Sequence, residues 1–395
     1  MATRTIALFT KDMPALEGPG KSIRLMHWLA DLSVHYDLIY CIYLGAQLTV
    51  PANLGNKIQF IPIPLIKPNA IHSIWRRLIS GLVCPNLYSV YWYERISDKG
   101  YLKIAELIDR SEDILFFRLY LFPVLFAFKK KLIHKSVRMD LDDVDGLTMQ
   151  QIARTQWDQG YYIKWLETRI GMFYFKYYEH NAHEMVEQFY YANPNDKEYL
   201  THKYPDAKIH CFPNKVLYQD APIHRPRPEA TLLFAGALNY FPNIDAIRFF
   251  LNDIWPEVLK QQPDATLIVA GSQPDRHLKV LIQSTSGCIL IENPESMKEI
   301  FNRATLMVVP LRLGGGTRIK ILQAFSYGLP VLSTTIGSSG IAGADSKSLI
   351  IADDKNDLVD ACMKLLRNPA LGTDMAKKAY AVFMQFHSFS WSYCF

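Results

Sequence analysis

The sequence predicts an α/β protein of two doubly wound, Rossmann-like units, and three observations carry that expectation. At 395 residues, 49% of them hydrophobic, the chain is about twice what a single core occupies. Short apolar runs suited to strands alternate with helix-like stretches almost throughout. The alternation then breaks and restarts, so a second series of the same kind follows the first.

The first run, IALFT, leads into a helical stretch from Lys21 to Ser33, where Leu25, Leu29 and Leu32 share one face, as a helix packed on a sheet requires. DLIYCIYL, DILFF and VRMDL continue the series. Between Leu217 and Glu229, Pro222, Pro226 and Pro228 alternate with charged and polar residues, which disfavours a sustained helix or central strand. The predicted organisation is a first unit over 1–216, a linker over 217–229 and a second unit over 230–395, with the last helix expected to pack back on the first unit. The second unit opens with TLLFAG (231–236), a helix over 243–260 and ATLIVAG (265–271), then alternates CILIE and LMVVPL with further helices.

Cys41, Cys84, Cys211, Cys288, Cys362 and Cys394 are scattered, without a C-x-x-C pair or metal-ligand spacing, and read as reduced thiols of a cytoplasmic protein. Residues 1–10 run straight into a strand, so no leader is expected. The longest apolar run, Ile114 to Phe128, is broken by Arg118 and Pro123 and is too short to span a bilayer. The net charge of +5 is uneven: Lys57 to Arg138 holds 14 Lys or Arg against 6 Asp or Glu. Arg76 and Arg77 lie beside Ile71, Ile74, Trp75 and Leu78, and Lys129, Lys130 and Lys131 follow a Phe-rich stretch. Two readings stay open, a peripheral contact with the anionic inner face of a membrane and a solvated surface over ordinary core helices. No motif accompanies the charge that would point to nucleic acid.

The most informative segment is VVPLRLGGGTRIKILQAFSYGLPVLST, residues 308–334. A buried strand runs into Gly314, Gly315 and Gly316, and a helix starts near Thr317 and stops at Gly328 with Pro330 beyond. Consecutive glycines bring backbone N–H groups close to one point, and the helix start adds partial positive charge, so an anion such as a diphosphate fits there. Arg318 as a two-pronged donor and Lys320 as a point charge would neutralise it. A turn using glycine only for its geometry is the alternative. Gly236 and Asn243 flank the loop after the second unit's first strand and are placed to approach the same phosphates; Asn243 also suits a helix N-cap after Pro242.

Segment 308–334 resembles the donor site of family 4 glycosyltransferases, in the branch carrying PLR-x-GGGTR-x-K-x-LEA-x-x-x-G-x-PV-x-ST. Upstream, FAGALNYFPNIDAIRFFLNDIWPEVLKQQPDATLIVAG is similar to that branch's opening of the second domain, a glycine followed by Y-x-PN-x-DA. The resemblance is close from 231 to 340 and looser before 215, where it rests on Gly18-Pro19-Gly20 with Arg24 downstream and on RMDLDDVDG (138–146). It implies a retaining, metal-independent enzyme of the GT-B fold, two Rossmann-like domains facing a central cleft. Such an enzyme moves a sugar from a nucleoside diphosphate sugar, its substrate rather than a cofactor, to an acceptor hydroxyl; a glycan or lipid-linked acceptor, in surface polysaccharide or glycolipid synthesis, is the expectation for this chain. The family commonly carries two glutamates eight positions apart, which here fall on Gly315 and Gln323. Gln323 thus replaces the carboxylate assigned to the ribose hydroxyls, and an amide accepts a weaker hydrogen bond.

In the first unit, Gly18 and Gly20 would let their loop close over donor phosphates or admit the acceptor. Asp140, Asp142, Asp143 and Asp145 include a D-x-D, which in the other large glycosyltransferase fold holds a divalent metal. With a metal-independent pattern in the second unit, Asp140 and Asp142 read instead as an acceptor site facing the cleft, with Arg24 and Arg118, and no metal is expected. Two other readings remain: a nucleotide-sugar epimerase of the same fold, for which no acid/base pair stands out, and a catalytically silent homologue that binds sugar or a partner, suggested by Gln323.

Overall fold

The computed structural model describes residues 3–16, 20–45, 55–66, 95–217 and 230–389. Gly18, the Ile71–Leu78 basic-apolar stretch, Cys84, Cys394 and linker residues 218–229 lie outside the described residues. The chain divides into two units.

The first unit is built on a seven-stranded sheet: β1 (Thr5–Thr10), β2 (Leu38–Leu44), β3 (Ile58–Ile63), β6 (Asp113–Phe117), β7 (Ser136–Asp142), β8 (Gln188–Tyr191) and β9 (Lys208–Cys211). The order is β3-β2-β1-β6-β7-β8-β9 and every pairing is parallel. A short antiparallel pair, β4 (Leu65–Ile66) with β5 (Arg95–Ile96), stands apart. All six residues of β1 are buried, as expected for a strand covered by helices on both faces. Alternation sends its side chains to two cores. Ala7 and Phe9 join Ile42, Phe116 and Met139 on one face; Ile6 and Leu8 join Ile39, Leu115, Leu25, Leu29 and Leu32 on the other. The predicted leucine stripe is therefore the sheet-facing side of the Gly20–His35 helix.

The second unit holds β11 (Thr231–Ala235), β12 (Thr266–Gly271), β13 (Cys288–Glu292), β14 (Leu306–Val309), β15 (Val331–Ser333) and β16 (Ile350–Ile351), all parallel, in the order β13-β12-β11-β14-β15-β16. Counted within the unit this is 3-2-1-4-5-6, the doubly wound order whose reversal lies between β11 and β14. The Phe241–Phe249 helix widens into a π turn at Phe250–Ile254, just ahead of Pro256, which has no N–H to continue the ladder.

The units divide between Phe212 and Pro213, earlier than the expected boundary at 216, and Leu16 and Gly20–Ile23 group with the second unit. The reason is local. Val216–Leu217 (β10) pairs in parallel with Ser388–Phe389 (β17), and the buried His387 ring contacts the Asn214 carbonyl oxygen at 3.1 Å. The last described helix, Pro369–Val382, buries Met375 and Ala379 in the core of its own unit, the second.

Candidate functional site

Ligands of open parallel sheets bind beyond the carboxyl ends of the strands where strand order reverses, which in the second unit means the ends of β11 and β14. Gly236 follows β11 with φ +155°, and a Cβ there would come within 2.8 Å of Lys320 Nζ and 2.9 Å of Asn243 Nδ2. Only glycine fits that turn. Asn243 Nδ2 donates to the Ala237 carbonyl at 2.9 Å, and Asn243 Oδ1 accepts from Lys320 Nζ at 2.8 Å. Tyr240, not Asn243, stands at the N-cap position of this helix, with no side-chain hydrogen bond to the helix end: with Pro242 in the first turn, where no N–H is needed, the helix starts ahead of Asn243 and leaves its side chain to the lysine.

Lys320 is half-buried over the Phe234 ring, its Nζ 5.2 Å from the centroid. Burial, then the charge of Arg318, pushes its ammonium down to about 7. Among the described residues Lys320 makes no ion pair, and its hydrogen-bond partner is the neutral Asn243 amide.

β14 leads through Pro310–Leu313 into the glycine triplet. Gly314 has φ +118° and Gly316 φ +71°, and a Cβ on Gly314 would lie 2.8 Å from Arg318 Nη2. Arg318 occupies the N-cap position of the Ile319–Ser326 helix and donates from Nη1 to the Gly315 carbonyl. Thr317 Oγ1 donates to the Gly340 carbonyl at 3.2 Å. Gln323 is buried on the same helix, and its main-chain carbonyl accepts from Tyr327 N at 3.1 Å. Gly236, Asn243, Arg318 and Lys320 are thus brought together at the ends of two neighbouring strands.

Two anchors of this loop did not stand out in the sequence. Arg312 donates twice to the buried Asp245 carboxylate, Nε at 2.9 Å and Nη2 at 2.6 Å, and lies over the Phe249 ring at 4.6 Å. Thr334 Oγ1 donates to the Leu311 carbonyl. Both polar residues of the first anchor lie inside the motifs quoted above, but nothing in the spacing pairs positions 67 residues apart.

In the first unit, Arg24 and Asp140 are both fully buried and hold each other, with Nε–Oδ2 at 2.8 Å and Nη2–Oδ1 at 2.5 Å; Arg24 Nη1 also donates to the Phe212 carbonyl. Their expected ligand-facing role gives way to an interior one, because each satisfies the other and neither meets solvent. Burial opposes the charge of Arg24, but Asp140 and Asp142 outweigh it and raise its pKa. Arg118, with φ +90°, and Asp142, with φ +63°, sit at the ends of β6 and β7, paired at 2.8 Å and still partly exposed. The crowded aspartates are thus answered by two arginines. Beside them Asp145 is raised well above the usual carboxylate range by burial and then by Asp143. Tyr120 donates to Asp12 near the end of β1. Gly20 opens the first helix and groups with the second unit, where a Cβ would lie 3.2 Å from Ile319 Cδ1. Among the described residues no group of three or more His, Cys, Asp or Glu is placed to hold a metal ion.

Residues 229–368 match the model of a family described as glycosyl transferases group 1. A protein of Klebsiella pneumoniae described as an uncharacterized 44.6 kDa protein in cps region is 31% identical over 131 residues, 31% of this chain and 34% of that one, so the match spans about a third of that relative. A TarM variant of S. aureus, solved with fondaparinux, alpha-GlcNAc-glycerol and UDP, aligns with TM-score 0.69 at 10% identity over 99% of this chain and 98% of its own. The pneumococcal O-GlcNAc transferase GtfA, solved with UDP and GlcNAc, gives 0.65 at 11% over 98% and 96%. WaaG, a glycosyltransferase involved in lipopolysaccharide biosynthesis, gives 0.63 at 14% over 96% and 95%. The chain therefore has the GT-B fold of these glycosyltransferases, and over residues 229–368 it is similar to glycosyl transferases group 1.

Proposed function

We propose that the chain is a glycosyltransferase that moves a sugar from a nucleoside diphosphate sugar to an acceptor hydroxyl, in the synthesis of a surface polysaccharide or a lipid-linked glycan. The observation that carries this reading is the placement of Lys320, Asn243 and Gly236 at the end of β11 beside the Gly314–Arg318 turn that follows β14. A diphosphate there would meet two cations and a glycine backbone it can approach closely. Negative charge that develops on the leaving group would be stabilised by Lys320 and Arg318 in a partly dehydrated setting, where electrostatic stabilisation is strongest. The match over 229–368 and the UDP held by two of the neighbours support this donor class.

Retention at the anomeric carbon, metal independence and placement in the GGGTR branch of family 4 belong to the same reading and rest on the resemblance. Thr317, the three glycines and Gln323 complete the donor side. Arg118 and Asp142, partly exposed members of the first unit's charged group, are assigned to the acceptor, and Arg24 and Asp140 hold them in position. The setting is cytoplasmic, with a peripheral contact at an anionic membrane face; among the described residues no helix is long and apolar enough to cross a membrane.

The test is product analysis after incubation with a panel of nucleoside diphosphate sugars, for wild type, Lys320→Ala and Arg318→Ala. Transfer or donor hydrolysis is expected, with each substitution costing at least about 2 kcal/mol. An epimerised donor as the product would replace transfer with epimerisation, and no product with any donor would leave a binding protein.

A further inference from the structure

The Asp145–Asp158 and Tyr162–Met185 helices of the first unit pack on each other as a hairpin. Trp157, Tyr162, Ile163, Leu166, Ile170 and Phe173 stand exposed on it, Ile163 at 80% and Phe173 at 66%. At the helical turn per residue, Tyr162, Ile163, Leu166, Ile170 and Phe173 fall within an arc of roughly 100°. That arc lies opposite the side on which Gly171, Phe175, Tyr178 and Ala182 enter the core. A surface helix normally turns polar residues outward at this place, whereas this one is apolar on both sides. Scattered exposed hydrophobics are ordinary; a contiguous stripe marks a contact.

We propose that this stripe rests on an anionic lipid surface. From Trp157 to Lys176 the exposed charges are Lys164, Arg169 and Lys176 against Asp158 and Glu167. Arg169 and Lys176 border the arc on one edge, so apolar side chains can enter the acyl boundary while the basic stems reach back to lipid phosphates. Trp157 packs on Tyr162 and Trp165, with ring centroids 5.1 Å and 4.8 Å apart, placing at the hairpin tip the aromatic residues that favour a headgroup layer. A second copy fits less well. Antiparallel self-pairing that sets Ile163 against Phe173 and Leu166 against Ile170 brings Arg169 beside its own counterpart, a like-charge contact.

The inference deepens the membrane-side part of the reading above and names its surface; it does not depend on the transfer reaction. Flotation of the full chain with phosphatidylcholine vesicles, with and without phosphatidylglycerol, tests it. The wild type is expected to float with the phosphatidylglycerol vesicles, less so as salt rises. Ile163→Ser with Phe173→Ser lowers the bound fraction at least about tenfold. Arg169→Glu with Lys176→Glu removes the preference for phosphatidylglycerol, and both pairs keep wild-type donor hydrolysis in free solution. A wild type that fails to float, variants that float like it, or a wild-type dimer that dissociates on Ile163→Ser overturns the proposal. A wild type that floats but hydrolyses no donor supports the surface and removes the transfer reading.

Discussion

Arg24 in the first unit and Lys320 in the second are both cations drawn into the interior near strand ends, yet their surroundings are opposite. Arg24 lies between Asp140 and Asp142, fully buried and fully compensated. Lys320 has a neutral amide as its hydrogen-bond partner, an aromatic ring beneath it, another cation nearby and an ammonium pushed down to about 7. A cation matched by carboxylates belongs to the fold. A cation kept from them, at a cost to its own ionisation, is poised for a negative charge that arrives from outside.

Arg24 and Lys320 should therefore fail in different ways when substituted. Arg24→Ala strands the buried Asp140 carboxylate and is expected to cost about 3–5 kcal/mol of stability, read by denaturant unfolding. Lys320→Met should unfold no more easily than wild type, because it removes a cation the interior disfavours, while kcat/KM for the donor falls roughly 100-fold. An Arg24 variant that is stable but inactive, or a Lys320 variant that is unstable but active, would invert the assignment.

Gly236→Ala sharpens the picture around Lys320. The added methyl meets Nζ and the Asn243 amide at a backbone angle that disfavours any side chain, so donor KM should rise by about tenfold, with a smaller change in kcat. Unchanged donor kinetics would mean that the turn is only a turn. The smallest effect belongs to Asp245→Asn, which removes the charge but leaves a hydrogen-bond acceptor for Arg312. Loss of part of one half-exposed pair is expected to raise donor KM a few-fold, about 1 kcal/mol.

The central strands of both sheets were legible in the sequence because they are buried on both faces and read as apolar runs: TIALFT is interior throughout, as is TLLFA, whereas the outer strands β3, β8 and β9 are only partly buried and did not stand out. The glycine triplet was legible because three successive residues without a Cβ are rare except where backbone must bend sharply or approach something closely. Partnership across the chain was not legible. Arg24 and Asp140 are 116 residues apart, and each alone resembles a residue waiting for a ligand; only their contact shows otherwise. Asn243 follows Pro242 and suits a cap, but the proline moves the helix start to Tyr240 and frees the amide for Lys320. The boundary near 213 depends on two residues of β10 pairing with the distant β17, too short a run to recognise beforehand.

Titration calorimetry of a nucleoside diphosphate, in buffers of differing ionisation heat, tests the role of Lys320 most directly. Below about pH 7 the ammonium is already charged; above it the free protein holds a neutral amine that must regain a proton to meet the diphosphate. Affinity should therefore fall with rising pH from about 7, by up to about tenfold per unit, with uptake approaching one proton near pH 8. Lys320→Met is expected to bind weakly and without that uptake. Tight binding by Lys320→Met with the same proton uptake as wild type would contradict the account.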